Sequence, residues 1–210
     1  MKKILLGFLT VATILSCSKD RDEVVVENPE ASVKVQTVSD LYVPSRMSKD
    51  YAPQKYILFN LKDAKEVASE KLDTTEWDIG FNGTTIIVNG GSARKGKGGG
   101  LVLDKAYADV KEAPADTEFK GDELKEGKLT LAIPTGSNNG WYTYDMSTHT
   151  IMPIKGRTIL IKTADAKYAK IQIKSYYKGA PDNPGTDNTN MGYYTFSYSY
   201  QTSGSKVFSK

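Results

Sequence analysis

The strictest constraint on this chain is a side-chain period of two near its C-terminus. Across residues 168–177, Ala169, Ile171, Ile173, Ser175 and Tyr177 fall on one face, and Lys170, Gln172, Lys174 and Tyr176 on the other. Across residues 193–201, Tyr194, Phe196, Tyr198 and Tyr200 alternate with Thr195, Ser197 and Ser199. Such a period belongs to a strand, since a helix would scatter these residues around its circumference. One apolar and one polar face describe antiparallel strands that are buried on one side and wet on the other. Residues 158–163 read as a further strand, joined to 168–177 by the hairpin loop Ala164-Asp165-Ala166-Lys167. Residues 179–192, with Pro181 and Pro184, read as a long loop. Upstream, 55–60, 76–81 and 84–89 read as strands, and Asn82-Gly83 predicts a type I′ turn between the last two. Residues 101–103, 128–133 and 141–145 are shorter candidates. Only residues 62–70 have helix-forming composition, and 67–69 within them read equally well as strand. The expectation is a single all-β domain of about eight or more antiparallel strands, a sandwich or open barrel.

The N-terminus reads as an address. Met1-Lys2-Lys3 precedes a mostly apolar run to Leu15, then Ser16-Cys17. That order describes a secretory signal. The run spans about 18 Å as a helix, too short for a hydrocarbon core of about 30 Å. Ile14-Leu15-Ser16-Cys17 resembles the bacterial lipobox, in which the cysteine becomes the acylated first residue. Acylation also accounts for a single unpaired cysteine in an exported chain. Ser18-Lys19-Asp20-Arg21-Asp22-Glu23 resembles the surface-export signal of Bacteroidota lipoproteins. The expected organisation is therefore a signal at 1–16, an acylated flexible tether at 17–32, and the β domain at 33–210. The expected location is the outer membrane, lipid-anchored through Cys17 and exposed at the cell surface.

Composition removes several functions. The 28 basic and 25 acidic residues are nearly balanced once Lys2 and Lys3 leave with the signal, which argues against a dedicated nucleic-acid binder. One histidine and one cysteine exclude the common zinc sites. The stretch from Gly91 to Lys97 looks like a phosphate loop, but Gly98 stands where that motif needs Ser or Thr. Gly96 to Gly100 read better as a mobile loop or a close backbone approach. Gly-x-Ser-x-Gly does not occur, and no nucleophile and base stand together. A pair of carboxylates converging in a cleft would make a glycosidase, the one enzymatic alternative; the expectation is no enzyme.

One cluster carries chemistry. Between Trp141 and Pro153 stand Tyr142, Tyr144, Met146, Met152 and His149, the only histidine. Imidazole and thioether are both ligands of haem iron, and flat aromatics wall a porphyrin pocket. The competing reading is a strand-turn-strand in which Trp141 and Tyr144 fill core, Met152 fills a gap and His149 tips the turn.

The ordered motifs resemble the HmuY family of haem-binding lipoproteins. They are Trp77-Asp78-Ile79-Gly80-Phe81, Ile87-Val88-Asn89-Gly90-Gly91, Gly96-Lys97-Gly98-Gly99 and Gly140-Trp141, then residues 158–162, Tyr168-Ala169-Lys170-Ile171-Gln172 and Tyr194-Thr195-Phe196-Ser197-Tyr198. The resemblance implies an all-β haemophore-like carrier serving iron acquisition. Such a carrier takes haem, free or from host haemoproteins, and passes it to a TonB-dependent outer-membrane receptor. It also implies two axial ligands. One falls on Met146, shortly after the Gly-Trp pair. The region that carries the other, 111–139 here, has neither His nor Met. The second ligand is then His149 or Met152 from the same loop, or Met47 or Met191 from elsewhere, or there is one ligand or none. Two ligands three residues apart struggle to reach opposite faces of one iron, so His149 is also a candidate for the pocket rim. The cofactor-site candidates are Met146, His149, Met152, Trp141 and Tyr144, with Met146 and His149 on the metal. Thioether ligation favours ferrous iron. The alternative function is a haem-blind relative, a surface lipoprotein that binds a glycan or an envelope partner.

Overall fold

In the computed structural model, which describes residues 32–185 and 188–209, the alternating stretches are strands of two facing antiparallel sheets. In chain order the strands are β1 (Val33–Tyr42), β2 (Ile57–Asn60), β3 (Lys65–Val67), β4 (Ile79–Asn82), β5 (Thr85–Val88), β6 (Gly99–Leu103) and β7 (Glu123–Lys125). They continue with β8 (Lys128–Thr130), β9 (Tyr142–Asp145), β10 (Thr150–Pro153), β11 (Thr158–Lys162), β12 (Tyr168–Tyr177) and β13 (Met191–Gln201). The larger sheet runs β1-β13-β12-β11-β6 and the smaller β3-β2-β4-β5; β7-β8 and β9-β10 are separate hairpins. Both sheets keep free edges, so the fold is an open all-β sandwich and no closed barrel. Among the described residues no helix reaches seven residues, and none is long and apolar enough to cross a membrane. Cys17 and the expected signal lie outside the described residues.

The alternation explains the packing. Ala169, Ile171 and Ile173 sit opposite Tyr200, Tyr198 and Phe196 across the β12–β13 ladder, and all six are buried in one core cluster. That face meets the smaller sheet through aromatic rings: Phe59 lies 5.7 Å from Phe196, and Phe81 4.8 Å from Tyr194, centroid to centroid. The outer face of the larger sheet is covered as well, by Val110, Ala113 and Phe208 against Leu160 and Tyr168. Trp77 packs with Leu58 and Ile87 behind the smaller sheet. These clusters run from Leu41 to Phe208, so residues 27–210 contain all of them.

A backbone knot ties the sheets together. Asp78 is buried, and its carboxylate accepts the Leu61 amide at 2.8 Å and the Ala164 amide at 3.0 Å. The Asn89 side chain donates to Thr74 O and Trp77 O and accepts from Gly96 N, while its carbonyl accepts from Gly98 N at 2.8 Å. Asp122 N donates to Gly90 O, and its carboxylate accepts the Val88 and Ala132 amides. Gly96 to Gly98 are therefore a close backbone approach, and strand β6 follows them directly.

Several expectations change. Strand β1 replaces a stretch with no assigned structure; it is an edge strand whose face is mostly exposed, and a bulge between Val38 and Leu41, with Asp40 at φ 53°, breaks its alternation. Residues 62–70 hold strand β3 and the start of a short 3-10 turn, and no α-helix. The β4–β5 loop is Gly83-Thr84, one residue later than expected; only Gly83 has positive φ, so it is not type I′, which needs two. Lys170, expected on the wet face, is 5% exposed because the 104–113 segment covers it. Its ammonium donates to Tyr107 O at 2.9 Å and Val110 O at 2.8 Å, and burial lowers its pKa. Lys170→Met orphans both carbonyls while removing a buried charge, and is expected to cost about 2 kcal/mol. The check is a urea midpoint; an unchanged value would mean that the covering segment holds without this lysine.

Candidate functional site

The β9–β10 hairpin is set by its turn. The Asp145 carboxylate accepts the Ser147 amide at 2.7 Å and the Ser147 hydroxyl at 2.6 Å, and these bonds hold its pKa below the usual value. His149, at φ 56°, closes the turn in the left-handed region. Thr150 then pairs with Asp145, Ile151 with Tyr144, Met152 with Thr143 and Pro153 with Tyr142. Residue 150 onward is thus a strand, and the turn is residues 146–149.

This register distributes the candidate residues. Trp141 is 3% exposed; its indole donates to Thr84 O at 2.9 Å, and its ring meets those of Tyr142, Tyr176 and Tyr194. It is a core pillar behind the site and presents no free wall. Met152 is half-buried on the core, opposite Thr143 and off the Tyr144–Ile151 face. Met146 is 80% exposed. His149 is exposed, and its Nδ1 lies 2.7 Å from the Tyr144 hydroxyl.

Beside the hairpin opens a cavity of about 420 Å³, within the range of small-molecule sites. Tyr142, Tyr144 and Ile151 form one wall, Tyr176 and Met191 line it from β12 and β13, and Met47 stands at it from the segment after β1. Of the sequence candidates, Tyr144 lines the cavity, and Met146 and His149 occupy the turn next to it. Met47 and Met191, the two alternatives from elsewhere in the chain, both line it. Met47 is 74% exposed and Met191 is 7% exposed. Among the described residues, no three His, Cys, Asp or Glu side chains converge to hold a metal ion; the donors at the cavity are thioethers and phenols.

Tyr176 is the residue that alternation missed. It was expected on the wet face with Lys170 and Lys174, yet it is fully buried. Two register shifts, between Ile173 and Ser175 and between Ser175 and Tyr177, turn it inward. The Ser175 hydroxyl stabilises the irregularity by accepting from Tyr177 N at 3.0 Å. Among the described residues the Tyr176 hydroxyl has no hydrogen-bond partner, and burial holds its pKa far above the ordinary phenol value.

The family model of the HmuY protein matches residues 50–198. Among solved structures the chain is similar to the apo HmuY analogue of Tannerella forsythia, at 15% identity over 80% of this chain and 95% of that one, with a TM-score of 0.44. It is similar to apo PinO from Porphyromonas gingivitis, at 16% identity over 80% and 97%, with a TM-score of 0.46. A Bacteroides vulgatus protein described as HmuY-like and haem-binding matches at 15% identity over 81% and 93%, with a TM-score of 0.43. No curated protein matches the chain. The stretch matched by the family model takes in every strand except β1, most of β13 included, together with the hairpin and all of the cavity wall except the segment after β1. On that match, which covers well over half of its length, the chain belongs to the HmuY family.

Proposed function

We propose that this protein binds haem in the cavity beside the β9–β10 hairpin and acts as a carrier without catalytic turnover. The observation that carries this is a pair of exposed thioethers from two separate segments: Met47 lines the aromatic-walled cavity, and Met146 stands in the turn directly after its Tyr142–Tyr144 wall. Thioether sulfur is a ligand of haem iron, and an exposed methionine has a flexible stem and no core to fill. Drawing the ligands from two segments removes the difficulty of Met146 and His149, three residues apart, reaching opposite faces of one iron. In this reading Met146 and Met47 would hold the iron of bound haem through their sulfurs, and His149 would hold the rim through its contact with Tyr144. Bound haem supplies the visible spectrum and the redox centre; the protein supplies two sulfurs, tyrosine walls and exclusion of water.

The same proposal extends to the cell. Acylated Cys17 anchors the chain in the outer membrane, residues 17–32 are the tether, and residues 33–210 the surface-exposed carrier domain. It takes haem, free or from host haemoproteins, and hands it to a TonB-dependent receptor for iron acquisition.

The test is a titration of residues 27–210 with haem, ferric and then reduced with dithionite. A saturable Soret shift with sharp six-coordinate bands is expected, tighter when reduced. A flat, non-saturable response in both states would overturn the reading. Met47→Ala and Met146→Ala are each expected to weaken ferrous binding by at least about tenfold, since even outer-shell changes at metal sites reach that size. Full six-coordinate spectra in both variants would remove these two as ligands.

A further inference from the structure

We infer that Arg46 and Tyr176 form a carboxylate-binding end of this cavity, so that its ligand is a flat apolar molecule carrying at least one carboxylate. The inference deepens the haem reading and rests on it, because haem carries two propionate carboxylates.

Among the described residues the cavity lining contains a single charged residue, Arg46, and no Asp, Glu or Lys. Among the described residues Arg46 enters no ion pair. Its stem rests by the β4–β5 turn, where a Cβ on Gly83 would stand 3.4 Å from the Arg46 Cγ. A guanidinium without an anion is a bidentate fork with nothing to grip, and carboxylate is its matching partner.

Tyr176 supplies an independent second observation. Its side chain lines the same cavity, is fully buried and leaves its hydroxyl without a partner. Buried hydroxyls are nearly always hydrogen-bonded, and an exception asks for an explanation. Arg46 is the cation whose field reaches this hydroxyl. A carboxylate between the two satisfies both groups, one oxygen taking the guanidinium and the other the phenol proton in a hydrogen bond. Ser45, Thr84 and Thr135 add hydroxyls along the lining and no opposing charge.

The test uses residues 27–210 and three probes: ferric haem, iron-free protoporphyrin IX and the dimethyl ester of protoporphyrin IX. The iron-free pair isolates the carboxylate from axial ligation. The free acid is expected to bind at least about tenfold tighter than the diester, as a charge-assisted hydrogen bond is lost. Arg46→Gln is expected to bring free-acid binding down to the level of the diester, and Arg46→Lys to restore part of the difference. Tyr176→Phe is expected to weaken the free acid about two- to tenfold while raising Tm, because it deletes an unbonded buried hydroxyl. A merely structural tyrosine would not separate those two readouts. Equal binding of acid and diester, or an Arg46→Gln variant that binds the acid as wild type does, overturns the carboxylate end. If haem still binds in that case, the haem reading stands without it; if no probe binds at all, both fall together.

Discussion

Gly90→Ala is expected to cost at least about 4 kcal/mol, at the exceptional end of single substitutions. A typical domain has only about 5–15 kcal/mol in total. A methyl at Gly90 would run into the Gly98 carbonyl, and one at Gly91 into Asp122. These are backbone atoms, so no rotamer change relieves the clash. The same segments are joined there by Gly98 N to Asn89 O at 2.8 Å and Asp122 N to Gly90 O at 2.9 Å. Parting the segments to make room breaks both bonds. Gly127→Ala is the control: unlike Gly90 it sits at positive φ, 76°, but it has nothing within 4 Å, and should cost only about 1–2 kcal/mol of left-handed strain. Urea unfolding of the two variants compares them directly. A Gly90→Ala protein within about 1 kcal/mol of wild type would show that the knot bends more easily than its geometry implies.

Stability is expected to peak on the acid side of neutrality. Burial raises the pKa of Asp78 and of Asp122 from 3.8 to about 6, against the backbone amides and, for Asp122, Arg94 at 3.8 Å, which pull the other way. A raised folded-state pKa means that the folded chain holds a proton the unfolded chain has released. The contribution is complete below the unfolded value of 3.8 and is lost as pH rises through about 6. Shifts of this size correspond to about 2–3 kcal/mol for each group. Asp116 has the opposite sign. Hydrogen bonds from Lys162, Lys206 and Tyr168 hold its pKa below 3.8, so its support is present above that value and fades as pH falls. The two trends leave a maximum between about pH 4 and 6. Urea midpoints at pH 5 and 7.5 test it; a higher midpoint at 7.5 would mean that these carboxylates ionise in place without penalty.

The strands that sequence made legible are those with one uninterrupted buried face. Residues 158–163, 168–177 and 193–201 emerge as β11, β12 and β13 with small changes at the ends. Strand β1 was hidden because its partner lies more than 150 residues away and its own face is largely wet, as the Thr37–Ser197 hydrogen bond illustrates. The short strands β3, β7 and β10 carry too few residues to show a period. The motifs that carried the family resemblance turn out to build the scaffold: Asp78, Asn89, Gly90, Gly96 and Gly98 form the knot, and Phe81, Phe196 and Tyr198 fill the core. The cavity was legible in its hairpin wall and in Met47 and Met191, read as alternative ligands. Its other residues, such as Arg46, Thr84, Thr135 and Tyr176, are brought together by the sandwich and share no spacing. Tyr176 was illegible because a strand irregularity inverts its face.

The separation between knot and cavity rim has a consequence for how such proteins diversify. Arg46, Met47, Met146 and His149 are all exposed and stand outside the interlocked glycine segments. Exchanging them is expected to change stability by no more than about 0.5 kcal/mol. The chassis therefore tolerates new lettering at the rim, and the residues proposed to hold the iron and the carboxylate can each drift without endangering the fold that carries them.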